Sequence, residues 1–253
     1  SSGYKSNITR TSIGTNYEQF QNIYFSPSLS ISSEEVETSS KASAAYKKQE
    51  GTYFDTIFSY GLSYDQRNSP YQSSSGFISS WNQKLPLISD DGALYNSYLF
   101  TKYNEIAENV ILTTGFLARS INSISNEDVR VSERLYIPAS RLRGFESGKV
   151  GPKDGVDYVG GNYLTTVNAS STVPYFFNTF DNVDLKVFID AANIWGVDYS
   201  SSIDDQSKLR SSIGLAFELL SPVGPLSFSL AQPVTKASTD KTESFRFQLG
   251  TTF

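Results

Sequence analysis

The side chains that most often perform catalysis or bind metal ions are scarce in this sequence, which contains neither histidine nor cysteine. Their absence excludes a Ser-His-Asp triad, a cysteine nucleophile, a disulfide framework and any zinc site built from imidazole or thiolate. We interpret the adjacent carboxylates that do occur as solvated loop charge, rather than as acid–base pairs or calcium sites, because each pair lies in turn-like sequence. These pairs are Glu34-Glu35, Asp90-Asp91 and Asp204-Asp205. We therefore predict neither a metal site nor a cofactor.

A polar segment at 122–160 carries most of the unusual residue combinations. Loops of about 39 residues are uncommon without a function. Glycine permits a positive φ and a close approach of the backbone, although these could also be ordinary loop glycines. No helix follows them, which argues against a phosphate-binding loop. The candidate site residues in this segment are Arg141, Arg143, Gly144, Phe145, Glu146, Gly151, Pro152, Gly160 and Gly161.

Alternation with a period of two residues runs through much of the chain and predicts β-strands. It is clearest at 208–220, where apolar side chains occupy the odd positions and small or charged ones the even positions. No stretch of useful length has helical periodicity, so we predict an all-β chain of eleven strands. They lie at 7–17, 21–33, 54–65, 77–85, 94–104, 109–120, 161–173, 183–191, 208–220, from 224 onward, and at 245–253.

The face of these strands that is buried decides the class of protein. In a soluble sandwich the apolar face packs into a shared core, whereas in a membrane barrel it faces lipid. Alternation alone leaves both readings open. Aromatic residues near strand ends, such as Tyr175, Trp195 and Tyr199, favour the membrane barrel. The long loops at 34–53 and 122–160, which alternate with short turns, favour it as well.

Four motifs occur in one order over about 110 residues of the C-terminal part. The first is Arg-Gly-Phe at 143–145, followed by Gly-Pro and by Gly-Gly-Asn. A single Arg-Gly-Phe would mean little, but the ordered set resembles the BamA family, the outer-membrane barrel assembly proteins. The further matching stretches are 188–195, 221–226, 231–233 with 245–253, and, upstream, 62–68 with 75–76.

The resemblance implies a transmembrane antiparallel β-barrel that is preceded by periplasmic POTRA domains. Residues 1–253 would be the C-terminal portion of the barrel domain, about the last eleven strands of a 16-stranded barrel. The loop at 122–160 would fold into the lumen. The N-terminal strands and the POTRA domains would not be present.

The resemblance also implies a role for Arg143. In the family this loop arginine pairs with carboxylates on the inner barrel wall, and Asp190 matches one of those positions. A guanidinium fork closed on a carboxylate in a partly dry lumen would pin the loop. The family's other acidic position corresponds here to Ser170, and the glycines usual before the arginine are absent from 136–140. The alternative is that Arg143 is a solvated loop residue.

The terminal strand is the second site that the resemblance implies. In the family this strand pairs weakly with the first strand and forms a lateral gate, whose free edge offers backbone hydrogen bonds to an incoming strand. The alternation also predicts side chains that face lipid, and Gly250 would weaken the pairing further. The residues concerned are Phe245, Phe247, Leu249, Gly250 and Phe253.

The resemblance implies an assembly factor, not an enzyme, that folds and inserts nascent β-barrel proteins into the bacterial outer membrane. The implied partners are those nascent proteins, accessory outer-membrane lipoproteins, periplasmic chaperones and outer-membrane lipid. Nucleic acid is not expected, because the net charge is −5 and the isoelectric point about 4.9. Alternatives in the same superfamily are a TamA-like assembly factor and a two-partner secretion transporter. A porin would not need this loop, and a lipase-like barrel would need a histidine base.

Overall fold

One large antiparallel sheet organises the computed structural model, which describes residues 3–40, 42–70, 72–125, 127–174, 183–221 and 224–249. Eleven strands follow one another in the order β1-β3-β4-β5-β6-β7-β10-β11-β12-β13-β14, β2 pairs with β3, and β8 and β9 form a separate hairpin. The eleven strands coincide with the eleven predicted ones, so the all-β fold is confirmed. In chain order the strands are β1 (Tyr4–Gly14), β2 (Tyr17–Phe20), β3 (Ile23–Thr38), β4 (Gly51–Asp65), β5 (Gly76–Ser89), β6 (Ala93–Ala107), β7 (Val110–Ser123), β8 (Lys153–Asp154), β9 (Asp157–Tyr158), β10 (Tyr163–Thr172), β11 (Val183–Trp195), β12 (Arg210–Ser221), β13 (Gly224–Thr235) and β14 (Phe245–Leu249).

Strands β3 and β4 extend further than the sequence predicted. Both ends of the predicted loop at 34–53 are strand, at 34–38 and 51–53, because β3 and β4 stay paired as far as Val36 and Gly51. Glu34 and Val36 are buried, whereas Glu35 between them is exposed, so a buried carboxylate concealed the alternation. One helical turn, α1 (Ala44–Lys48), occupies the remaining connection, where the sequence predicted no helix. In the part of the chain that is described, no helix is both long and apolar enough to span a membrane.

The apolar face of the sheet is bare and its polar face is covered. On β12, Ile213 and Leu215 are 47% and 39% exposed, whereas Ser212 and Ala216 are buried. A soluble sandwich would pack that apolar face against a second sheet. Across the described ranges the one other sheet is the small β8–β9 hairpin. The arrangement is that of a membrane barrel wall, and we call the bare face the outer face and the covered one the inner face.

The core lies between the inner face and the loop that joins β7 to β10. Its main cluster packs the loop side chains Val129, Leu142 and Phe145 against Leu164 and Ile194 of the wall. A second cluster joins α1 and β3 to the same loop. The loop therefore folds over the inner face, as predicted for the segment at 122–160, and this packing positions its motif against the wall.

Candidate functional site

Backbone pairing closes the base of the loop between β7 and β10. Leu135 and Gly161 exchange two hydrogen bonds of 2.9 and 3.0 Å as an isolated bridge. A Cβ on Gly161 would lie 2.6 Å from the carbonyl oxygen of Trp195, so only glycine fits there. Gly160 beside it has a φ of +69°, in the left-handed region that favours glycine. Both predicted glycines thus shape the return of the loop to the sheet.

Arg143 lies against Asp190 on the inner face of β11. Its Nε donates to Oδ2 and its Nη2 to Oδ1, both at 2.8 Å, and its backbone N–H donates to Oδ2 at 3.0 Å. The guanidinium lies on the ring of Phe188, with Cζ 3.4 Å from the ring centroid. Asp190 is 0% exposed. A bidentate pair at such a dry position is strong and directional, so it holds the loop on the wall at this point.

Asn168 on β10 supports the same carboxylate, and the sequence reasoning missed it. It lies directly opposite Asp190 in the strand register. Its Nδ2 donates to Asp190 Oδ1 at 2.8 Å and to the carbonyl oxygen of Arg141 at 2.9 Å. Ser170, the predicted counterpart of the family's second acidic position, lies opposite Phe188 instead. Positions 168 and 170 share one face of the strand, and only the register decides which of them meets Asp190.

Arg141 is accommodated by a glycine in the wall. A Cβ on Gly115 of β7 would lie 2.8 Å from Arg141 Nη1, so this glycine leaves the space that the guanidinium fills. The same Nη1 donates to Asn168 Oδ1 at 3.4 Å. Burial and the nearby Arg119 lower the pKa of Arg141. Its position therefore depends on fit and on one amide rather than on a carboxylate.

The next residues of the motif pair with the segment that precedes β14. Phe145, which is 2% exposed, forms an antiparallel bridge with Thr242. The N–H of Glu243 donates to the carbonyl oxygen of Gly144 at 3.1 Å. The N–H of Glu146 donates at 3.0 Å to the carbonyl oxygen of the residue before Thr242. We call these contacts the loop ladder; they extend the edge of the sheet with loop backbone.

Arg246, an inward-facing residue of β14, ties the terminal strand to the loop. Its Nη1 donates to the carbonyl oxygen of Ala139 at 2.6 Å and its Nη2 to that of Phe145 at 2.5 Å. It also forms an ion pair with Glu243, and its side chain is only 10% exposed. The sequence analysis did not single out Arg246, whose one signal is a charge on the polar face of the terminal strand.

The structure describes three of the five predicted residues of the terminal strand. Phe245 and Phe247 are 56% and 50% exposed on the outer face. Leu249 takes part in the backbone pairing of β14 with β13. In the described ranges, β14 is one edge of the sheet. Gly250 and Phe253 lie outside the described residues.

Gly151 and Pro152 are held near another buried ion pair. The N–H of Gly151 donates to Asp240 Oδ1 at 3.1 Å, and Arg210 Nε donates to Asp240 Oδ2 at 2.9 Å. The carbonyl oxygen of Pro152 accepts from the N–H of Val159 at 3.1 Å. This part of the motif is therefore fixed to β12 and to the connection between β13 and β14.

Arg130, near the start of the loop, occupies an ion-pair site that the sequence reasoning did not find. Its Nη1 lies 2.7 Å from Glu34 Oε2 and 3.1 Å from Asp55 Oδ2. Its Nε donates to Asp91 Oδ2 at 2.9 Å, and its Nη2 contacts the other oxygen of that carboxylate. The guanidinium carbon lies 4.0 Å from the ring centroid of Tyr53. The Arg130 side chain is 1% exposed, so the whole cluster is dry.

The interpretation of the acidic pairs as solvated loop charge was wrong for one member in each of two pairs. Glu34 and Asp91 are buried beside Arg130, at 4% and 6% exposure. Their neighbours Glu35 and Asp90 are exposed. On β3 the reason is that adjacent residues of a strand point to opposite sides, whereas Asp90 and Asp91 lie in the bend between β5 and β6. Asp204, in the third pair, is exposed as expected.

Two more charged residues follow Arg130 in the loop. Burial raises the pKa of Glu133 to about 7 although Arg130 opposes the shift, and its Oε2 accepts no hydrogen bond from the described residues. Arg134 donates to Asn162 Oδ1 at 2.9 Å and to the carboxylate of Asp198. Burial acts to raise the pKa of Asp198, but the charge of Arg134 and the hydrogen bonds from Val129, Asn162 and Arg134 together outweigh it, and the pKa is lowered.

Comparison with known proteins gives one consistent result. A family profile described as "Omp85 superfamily domain" matches residues 1–253. The outer membrane protein assembly factor BamA of Neisseria meningitidis is 34% identical over 142 residues, which are 44% of this chain and 17% of that protein. The protein of the same name from Nitratidesulfovibrio vulgaris is 25% identical over 215 residues, or 82% of this chain and 26% of that protein. The chain thus spans about a fifth of the length of these relatives.

The fold also matches a solved structure. The crystal structure of BamA from Haemophilus ducreyi lacking POTRA domains 1–3 superposes with a TM-score of 0.88 and 23% sequence identity. The match covers 96% of this chain and 54% of that chain. The large antiparallel sheet and its strand order are therefore those of that barrel.

Proposed function

Because this chain belongs to the Omp85 superfamily, we propose that it works in an outer-membrane protein assembly factor of the BamA type. That factor folds nascent β-barrel proteins and inserts them into the bacterial outer membrane. The observation that carries the proposal is the double attachment of the loop motif. Arg143 holds it on the wall at Asp190, and the loop ladder joins Phe145 to Thr242 beside the terminal strand.

The terminal strand supplies the surface for this work. Within the described ranges, the second edge of β14 has no strand beside it, and β14 pairs with β13 over five residues. An edge strand presents backbone donors and acceptors that an incoming strand can use. Such templating forms no covalent bond, which agrees with a function that is not enzymatic.

The loop keeps that edge in a defined position. Arg246 donates to two loop carbonyl oxygens, so β14 is held on its inner side by the loop and beside it by β13. Phe245 and Phe247 project from the outer face, where apolar side chains contact lipid hydrocarbon. The terminal strand is therefore fixed on one side and meets the membrane on the other.

The partners follow from this activity. They are nascent outer-membrane β-barrel proteins, the accessory outer-membrane lipoproteins of an assembly complex, periplasmic chaperones and outer-membrane lipid. A TamA-like factor or a two-partner secretion transporter would share the fold. The relatives named above support assembly, since both carry the name of an assembly factor.

The test is an assembly assay with the intact protein in liposomes. An unfolded barrel protein is added, and the heat-resistant folded fraction is followed by gel electrophoresis. We expect the wild type to accelerate folding and Arg143→Gln to lower the rate several-fold. Lys186→Gln is the matched control, because Lys186 forms an ion pair with Glu218 on the same inner face but does not contact the loop motif. Absence of acceleration by the wild type would contradict the proposed function, whereas equal rates for the two variants would contradict only the role of Arg143.

A further inference from the structure

The site around Arg130 joins the loop to three separate elements of the wall. Glu34 belongs to β3, Asp55 to β4, and Asp91 to the connection between β5 and β6. Each carboxylate lies within 3.1 Å of a guanidinium nitrogen of Arg130. A single side chain of the loop thus holds three consecutive strands or strand ends at one point.

Further hydrogen bonds fix the carboxylates in place. Ser6 on β1 donates to Glu34 Oε1 and Ser89 on β5 donates to Asp55 Oδ1, both at 2.5 Å. Glu34 and Asp55 are therefore each oriented by a hydroxyl group of the wall as well as by Arg130. An arginine fork that enters such a preformed site loses little freedom for each hydrogen bond that it forms.

Arg130 and Arg143 of the loop bind opposite flanks of the sheet. Arg130 binds the flank formed by β3, β4 and β5, whereas Arg143 binds β11 and precedes the loop ladder beside β14. In the strand order, β6, β7 and β10 lie between the two flanks. The loop therefore spans the inner face from one flank to the other, with an ion pair at each end.

We propose that the loop between β7 and β10 is a brace across the inner face, and that Arg130 is the positioning residue of its second anchor. In this arrangement the Arg130 site and the Arg143 site act on one rigid segment, whose middle is packed in the core by Leu135 and Ile137. Release of Arg130 loosens the motif at Arg143 and, through the loop ladder, the terminal strand. The brace does not depend on which polypeptide the protein handles, so it holds for an assembly factor and for a transporter alike.

Hydrogen exchange of the intact protein in detergent micelles tests the brace, because it reports opening of each segment separately. Peptides covering 241–249 report on the terminal strand, and peptides covering 34–36 report on the local site. We expect Arg130→Gln to accelerate exchange in both regions, by about tenfold in the terminal strand. The control is Lys208→Gln, which removes an exposed ion pair with Asp204 and leaves the loop untouched.

A second variant decides the matter if Arg130→Gln does not fold. Arg130→Lys keeps a positive charge for the carboxylates but lacks the fork that spans three of them. We expect it to accelerate exchange at 241–249 as well, by a smaller factor than Arg130→Gln. Exchange that accelerates only near Glu34, Asp55 and Asp91, with 241–249 unchanged in either folded variant, would overturn the brace. Since the measurement does not involve assembly activity, its outcome is independent of the proposed function.

Discussion

The ion-pair sites of Arg130 and Arg143 in the loop between β7 and β10 differ in charge balance. Arg143 meets one carboxylate, Asp190, so that its site is electrically neutral. Arg130 meets Glu34, Asp55 and Asp91, which leaves two negative charges uncompensated when all three are ionised. An arginine side chain therefore forms a neutral ion pair at one site and binds an acidic cluster at the other.

The difference shows how burial and charge act together. A buried charge lowers the stability of the fold unless it is paired. Removing one partner leaves the other buried without compensation for its lost hydration. At the Arg143 site both partners are important, because Arg143 and Asp190 form their ion pair with each other. At the Arg130 site the cation is essential, whereas each single carboxylate adds repulsion as well as attraction. We therefore expect the loss of a carboxylate to lower the free energy of unfolding more at the Arg143 site than at the Arg130 site.

The largest effect is expected for Arg130→Gln. It leaves three buried carboxylates facing one another without a cation, and we expect the free energy of unfolding to fall by about 4 kcal/mol. Unfolding of the intact protein by urea in detergent micelles measures it. Addition of Asp91→Asn to this variant should restore part of the loss, because it removes one of the repelling charges. A double variant no more stable than the single one would show that repulsion is not the cause.

A smaller loss is expected for Arg143→Gln. Asp190 remains buried, but it retains hydrogen bonds from Asn168 Nδ2 and from the backbone N–H of residue 143. We therefore expect a loss of about 3 kcal/mol in the same urea experiment. A loss greater than that of Arg130→Gln would reverse the comparison between the two sites.

Replacing a carboxylate by its amide separates the two sites most directly. We expect Asp190→Asn to lower the free energy of unfolding by about 2 kcal/mol, since it leaves Arg143 without a counter-ion. Asp55→Asn removes one of several acids around Arg130, and we expect a change of less than about 1 kcal/mol in either direction. Equal losses for the two amide variants would indicate that the acidic excess is without consequence.

The smallest effect concerns Glu133 and depends on pH. Burial raises its pKa to about 7 from an ordinary value of 4.5, so between these values the folded protein retains a proton that the unfolded chain has lost. Stability therefore falls as the pH rises through this window. We expect Glu133→Gln, which mimics the neutral acid, to be more stable than the wild type by about 1 kcal/mol at about pH 8 and equal to it near about pH 5. The charged groups that act on Glu133 are Arg130 of the loop, Glu34 of β3, Asp55 of β4, Lys84 of β5 and Asp91.

Comparison of urea unfolding of the wild type and of Glu133→Gln at several pH values measures this effect. A constant difference across the range would contradict the assigned protonation. A destabilised variant at about pH 8 would contradict its sign.

The strands and the faces of the sheet could be predicted because alternation is a local property of the sequence. On β12 the exposed Ile213 and the buried Ser212 occupy the faces that period two assigns. The family resemblance was confirmed, since the superfamily profile covers 1–253. It also directed attention to Arg143 and Asp190, which no local pattern would have joined.

The remaining contacts depend on register and on distant parts of the chain. Asn168 escaped notice because a strand register is needed to set it, rather than Ser170, opposite Asp190. Glu34 and Asp91 were assigned to solvent because their partner Arg130 is far away in the sequence. The sequence carried a weak signal of this burial. Arg130 lies between Val129 and Val131, and two valines in a polar loop are typical of a buried extended segment.

The loop ladder has a consequence for the order in which the chain acquires its structure. Arg246 and Phe145, which are hydrogen-bonded beside the ladder, are separated by 101 residues in the sequence. Contacts between such distant residues form late, because the closure of a long loop must precede them. The segment before β14 finds its hydrogen-bond acceptors only on a loop that is already seated. We expect the last strand to be the last to dock, and every earlier defect in the loop to appear as delayed maturation of the C-terminal end.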